Sequence, residues 1–261
     1  MKKIKVLHKS FSKPISCLTA YSPSIASILD GKIDLILVGD SLGSTLYGMK
    51  NTQGVTMHMM KMHGAAVNKV IKKSLKVLDM PYKTYENKVD AYKNAKILLN
   101  YCNPDLLKLE INKKKLVILK YLVNKKVNVI SHIGVTPQSY RNFNKIKILG
   151  RTDKEKDNLL MLAKESENLG AKAVLLECIT AETAKLITEN ISIPTIGIGA
   201  SKNCDGQVLV FDDLINLTTN NKKPRFVKNY LNFSNIAKRA INKYNREVKL
   251  KKFPSIKFTY N

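Results

Sequence analysis

Six apolar, strand-like runs in this chain each end in a polar or glycine-rich group, and the groups differ in chemistry. They are Asp40 with Ser41, Asp79, Lys108 with Glu110, His132, Glu177, and Gly197 with Gly199. In a (β/α)8 barrel the reacting groups sit at the carboxyl ends of parallel strands, where the following loops form the mouth. The pattern therefore predicts an α/β chain folded as a single (β/α)8 TIM-type barrel, and a catalyst rather than a scaffold.

The alternation of elements supports the same reading. Apolar runs over residues 15–20, 34–38, 75–79, 106–111, 127–133, 173–178, 194–200 and 206–211 predict eight strands. Helical patterns fall between them at 24–29, from Thr56 to about Ser74, and at 85–101, 115–123, 153–169 and 181–189, with a terminal helix at 233–246. The run DLILV at 34–38 is apolar throughout, as a parallel strand buried on both faces requires, and a tight loop over 39–43 is expected after it. Gly170 stands where a helix C-terminus calls for glycine. The length, 261 residues, suits one barrel of roughly 250, so residues 1–261 are expected to form one domain with a C-terminal helical segment.

Charge and composition narrow the class further. The formal net charge is +25, which raises the question of nucleic acid. The lysines, however, are scattered from Lys2 to Lys257 with no aromatic side chains interleaved as a stacking platform, so no nucleic-acid partner is expected. Drift toward Lys, Asn and Ile explains the excess; a weaker reading is a field that attracts an anionic substrate. No run approaches the roughly 20 apolar residues of a membrane helix, so no membrane partner is expected. The lysine-rich residues 1–5 are not followed by the apolar stretch of a secretion signal. Cys17, Cys102, Cys178 and Cys204 stand far apart and read as reduced thiols, which points to the cytoplasm.

The strand ends carry the chemistry. Asp40, Asp79 and Glu110 follow the second, third and fourth strands, and three hard oxygen donors without His or Cys suit Mg²⁺. One such acid alone would more often be a helix cap or a surface ion pair. Lys108 precedes Glu110 by two and shares its strand face, where an inward ammonium needs an anion such as a substrate carboxylate. Glu177 ends the apolar run Val174–Leu175–Leu176, surroundings in which a glutamate can act as general base near neutral pH, or be a paired structural acid. His132 either contacts substrate and moves a proton or is a hydrogen-bonded core histidine. His63 is expected to pack, and Gly199 to allow close backbone approach to a ligand.

The runs VGDSLG (38–43), LDMP (78–81), LKLE (107–110), SHIGVTPQS (131–139), LLEC (175–178), IPTIGIGA (193–200) and DGQVLV (205–210) together resemble the ketopantoate hydroxymethyltransferase family, in order and with compatible spacing from about Thr19 to Tyr230. The resemblance implies a (β/α)8 barrel with Mg²⁺ on Asp40, Asp79 and Glu110. It implies contacts to the oxo acid from Asp40, Ser41, Asp79 and Lys108, and Glu177 as proton acceptor. The substrates it implies are small molecules: 3-methyl-2-oxobutanoate and, as one-carbon donor and co-substrate, 5,10-methylenetetrahydrofolate. It further implies a homo-oligomer, a decamer in much of the family. Ser22, Gly54 and Ser201 depart from the family's usual acidic residue, proline and glycine, and remove no proposed ligand. An enolate-forming barrel enzyme of the phosphoenolpyruvate/pyruvate class and a basic RNA-binding protein are the rival readings.

Overall fold

The computed structural model describes residues 7, 9, 13–142, 146–217 and 223–260. The lysine-rich residues 1–5 lie outside the described residues, as does the segment 143–145 of the loop expected over 134–150. Eight strands, β1 (Ile15–Thr19), β2 (Leu35–Val38), β3 (Leu75–Asp79), β4 (Leu106–Glu110), β5 (Val129–Gly134), β6 (Ala173–Glu177), β7 (Thr195–Ile198) and β8 (Gly206–Leu209), form a closed parallel barrel in sequence order. The expected (β/α)8 fold is the observed one.

Side chains alternate across a strand, so every second residue points into the barrel. Ile15 and Cys17, Leu35 and Leu37, Leu75 and Val77, Leu106, Ile130, Ala173 and Leu175, Ile196 and Val208 fill its interior. Continuing those rows in steps of two toward the carboxyl ends reaches Asp79, Lys108 and then Glu110, His132 and Glu177. The register sets them side by side: Asp79 pairs with Lys108, Glu110 with His132, and Gly134 with Glu177. The apolar layers and the polar mouth are thus one period-two pattern whose residue types change at the top.

The helices α1 (Pro23–Leu29), α2 (Leu42–Leu46), α3 (Met57–Asn68), α4 (Lys88–Cys102), α5 (Leu116–Asn124), α6 (Asp153–Asn168) and α7 (Ala181–Asn190) fall between the strands. Side-chain caps fix several starts. Thr56 accepts from the Met59 amide, Asn87 from that of Asp90, and Thr152 with Glu155 forms a reciprocal capping box. Ser22, one of the three departures, caps α1 by accepting from the Ile25 amide.

Several boundaries differ from expectation: β8 stops at Leu209 and Phe211 opens a helix, and three further differences have a visible cause or consequence. The helix opened by Thr56 ends at Asn68 rather than near Ser74, because the amides of Lys72, Lys73 and Ser74 turn to the Asp30 carboxylate at 2.8–3.0 Å. The loop over 39–43 runs directly into α2, with Leu42 as its first residue. The helix expected from Tyr85 begins at Lys88, which leaves Tyr85 free to enter the barrel mouth.

The chain divides into two compact units, Met1–Val210 and Phe211–Asn261. The first holds the barrel. The second contains the short α8 (Phe211–Leu214), absent from the sequence reading, and α9 (Phe233–Lys249), three residues longer than expected. Among the described residues, no helix is long and apolar enough to cross a membrane.

Candidate active site

The carboxyl ends of β2 to β6 bring Asp40, Asp79, Lys108, Glu110, His132 and Glu177 to one mouth. All are buried except Glu177, whose side chain is 18% exposed, so the apolar burial expected for it stops one residue short. Two linked groups of contacts emerge. On one side, Lys108 Nζ lies 3.1 Å from Asp79 Oδ1 and 3.2 Å from His132 Nδ1. An ammonium can only donate, so Nδ1 accepts and the proton of the neutral ring is assigned to Nε2. That nitrogen stands 3.3 Å from Glu177 Oε2.

On the other side stands Gln138, which the sequence reading passed over. It lies in a 3₁₀ turn, Pro137–Ser139, of the loop after β5, yet its side chain is buried. Its Nε2 donates to Asp40 Oδ2 at 2.8 Å and to the Met80 carbonyl at 3.0 Å, and its backbone N–H donates to Glu110 Oε1 at 3.0 Å. Tyr85, also buried, donates its hydroxyl to Gln138 Oε1 at 2.5 Å and accepts from the Glu110 amide at 3.3 Å. The only signal available from sequence was the place of Gln138 within the run SHIGVTPQS.

Asp40 and Asp79 meet directly, since the Asp40 amide donates to Asp79 Oδ2 at 3.0 Å, while Glu110 is linked to Asp40 through Gln138. Ser41 lies beside Asp40, its Oγ 2.7 Å from the Tyr21 hydroxyl. Gly199 follows β7 in the left-handed region, φ 59°, at the rim and apart from this network. His63 is a packing residue held at both nitrogens, Nδ1 2.7 Å from the Tyr21 carbonyl and Nε2 3.0 Å from the Tyr47 hydroxyl.

The electrostatics show an acid-rich pocket short of positive charge. Burial, and then the charge of Asp40 working against Lys108, raises Asp79 to about 7. Burial likewise raises Asp40 and, with Asp40 beside it, Glu110. For Lys108 burial favours the neutral form, but Asp79, Asp40 and Glu110 outweigh it and hold the ammonium above its ordinary value. His132 is lowered by burial and by Lys108, with Glu177 opposing, so it stays neutral.

Three buried carboxyls around one ammonium leave room for more positive charge. Asp79 Oδ1 and His132 Nε2 are buried without a well-aligned hydrogen bond, the condition expected where a ligand completes a site. As the side chains stand, no three His, Cys, Asp or Glu among the described residues converge to hold a metal ion. The chemistry nevertheless fits Mg²⁺, which binds through one or two carboxylates and keeps several waters.

Comparison with known proteins bears on this arrangement. A family model described as ketopantoate hydroxymethyltransferase matches residues 1–256. The 3-methyl-2-oxobutanoate hydroxymethyltransferase of Pelagibacter ubique is 45% identical over 257 residues, 98% of each chain. Its namesake from Rhizobium rhizogenes is 41% identical over 250 residues, 95% of this chain and 91% of its own. Solved structures share the barrel at low identity. Phosphonopyruvate hydrolase in complex with oxalate and Mg²⁺ matches with a TM-score of 0.62 and 11% identity, over 97% of this chain and 90% of its own. A 2,3-dimethylmalate lyase of the PEP mutase/isocitrate lyase superfamily gives 0.61 and 11%, over 100% and 87%. Those two speak for the fold alone, whereas the match over nearly the full length at more than 40% identity shows that this chain belongs to the ketopantoate hydroxymethyltransferase family.

Proposed function

We propose that this protein transfers a hydroxymethyl group from 5,10-methylenetetrahydrofolate to 3-methyl-2-oxobutanoate, giving 2-dehydropantoate in pantothenate biosynthesis. The observation that carries the reading is the position of Glu177. Among the described site acids it is the one in partial contact with solvent, 3.3 Å from His132 and at the same barrel end as the buried carboxyls of Asp40, Asp79 and Glu110. A base and carboxyls suited to a metal-chelated oxo acid thus share one end of the barrel.

Asp40, Asp79 and Glu110 would hold Mg²⁺ there. A bound ion would polarise the keto oxygen and so acidify the neighbouring C3 hydrogen. Phosphonopyruvate hydrolase, which shares only the fold, was solved with Mg²⁺ and oxalate, an anion with paired oxygens like the keto-acid end of this substrate.

The chain's own groups do the rest. Lys108 attracts the substrate carboxylate, and Ser41, held by Tyr21, orients the oxo acid by hydrogen bonding. Glu177 takes the C3 proton. His132, a neutral donor at Nε2, faces the Glu177 oxygen and keeps it aimed. The C3 carbon nucleophile then attacks the methylene carbon of the folate, which gives up the first of its two C–N bonds as that nitrogen takes a proton. Water replaces the folate nitrogen at that carbon, leaving the hydroxymethyl group and tetrahydrofolate.

The assignment of the base is tested in D₂O by following loss of the C3 proton of 3-methyl-2-oxobutanoate in NMR spectra. We expect Glu177→Gln to slow this exchange by about 10²- to 10⁴-fold, the range for general-base catalysis, with the thermal midpoint unchanged. Exchange at the wild-type rate would remove Glu177 from the role.

The homo-oligomer belongs to the same proposal. Phe233, Ile236, Ile241, Tyr244 and Val248 form an exposed apolar stripe on α9, a helix with no buried residue, and such a stripe suits a second copy of the chain. The four free cysteines support a cytoplasmic setting.

A further inference from the structure

Gln138 makes more hydrogen bonds to the acids of the mouth than any element of the proposed chemistry requires. Both hydrogens of its amide nitrogen are used, one on Asp40 Oδ2 and one on the Met80 carbonyl. Its amide oxygen takes the Tyr85 hydroxyl, its backbone N–H takes Glu110 Oε1, and its carbonyl accepts from Gln53 Nε2 at 2.8 Å. The orientation of the amide is forced. Turned over, it would set its oxygen against the Asp40 carboxylate and the Met80 carbonyl, two acceptors.

The consequence is selective. Gln138 engages one oxygen of Asp40 and one of Glu110, and in each case leaves the other oxygen for a ligand. Tyr85 locks the arrangement from behind, since its single hydroxyl bonds both Gln138 and the Glu110 backbone. The side-chain amide holds Asp40 and the backbone N–H of the same residue holds Glu110, neither adding charge of either sign.

We propose that Gln138, fixed by Tyr85, is a positioning residue that sets which oxygens of Asp40 and Glu110 face the bound cation and oxo acid. The proposal rests on the functional reading above. It goes beyond it in assigning the alignment of two strand-end carboxylates to a loop amide that touches neither substrate nor metal. The buried pair couples the loop after β5 to β2, β3 and β4, and the hydrogen-bonded route from Tyr85 to Asp40 runs through Gln138.

The test compares wild type with Tyr85→Phe, Gln138→Leu and the double variant in three measurements: thermal midpoint, Mn²⁺ affinity by electron paramagnetic resonance without substrate, and C3 proton exchange with Mg²⁺. For Gln138→Leu we expect exchange at saturating substrate to fall about 100-fold, the cost of misplacing a group by about an ångström, together with weaker Mn²⁺ binding. Tyr85→Phe should show a smaller loss of the same kind, and the double variant should lose clearly less than the two single losses combined, because Tyr85 acts on Asp40 through Gln138. Additive losses, or Mn²⁺ affinity and exchange unchanged in Tyr85→Phe and Gln138→Leu, would overturn the proposal. If Gln138→Leu fails to fold, Tyr85→Phe, which keeps the ring, decides alone. Wild type without any exchange would sink the functional reading instead, and the Mn²⁺ series would still decide the role of Gln138.

Discussion

At the scale of the residue, function here depends on how few positive charges face how many acids. Lys108 is the ammonium within reach of Asp79, and it also fixes the tautomer of His132. Lys108→Met keeps most of the stem but removes the charge proposed to meet the substrate carboxylate. We expect an oxo-acid KM about 100-fold higher, the scale for truncating one partner of a buried charge pair, and steady-state kinetics at saturating Mg²⁺ check it. His132 gives a pH signature. Its native value is held below that of an unfolded histidine, near 6.5, so the native state binds fewer protons than the unfolded chain in that range. The stability it lends is complete above about pH 6.5 and is lost as pH falls through that value toward the native one. Denaturant unfolding at pH 8 and pH 5.5 should therefore show the wild-type advantage over His132→Gln shrinking at the lower pH. An advantage that stays constant would contradict a buried neutral ring.

At the scale of the element, the turns after the strands are as constrained as the strands. Gly134 ends β5 at φ 96°, and a Cβ there would overlap the Glu177 carbonyl. Gly134→Ala should cost about 2 kcal/mol in strain, read from the denaturation midpoint, and should displace Glu177 along with it. The strands were legible because parallel barrel strands are apolar on both faces, so runs such as LILV stand out and the groups at their ends become visible. Helix starts were legible where one side chain caps them, as Thr56 does. What the sequence concealed was tertiary. The end of α3 depends on Asp30, far away in the chain, taking the amides of residues 72–74. Gln138 and Tyr85 look like ordinary loop and helix-entry residues, and only the closed barrel turns them onto Asp40 and Glu110.

At the scale of the whole molecule, one closed sheet gathers groups that lie up to 137 positions apart, from Asp40 to Glu177, and gives them different roles by burial. The acids inside are buried around one ammonium, while Glu177 at the rim keeps contact with solvent. If the net charge of +25 does act as a field that attracts anions, the weaker of the two readings of the lysine excess, the apparent on-rate for the oxo acid should fall with ionic strength, and an on-rate indifferent to salt would leave drift as the explanation. The most direct test of the account is NMR of 3-methyl-2-oxobutanoate with the purified protein in D₂O, with Mg²⁺ and 5,10-methylenetetrahydrofolate added separately and together. The account predicts exchange of the C3 proton that depends on Mg²⁺ alone, and a hydroxymethyl product only when the folate is also present. Product formation without Mg²⁺, or neither exchange nor product with every component present, would contradict it.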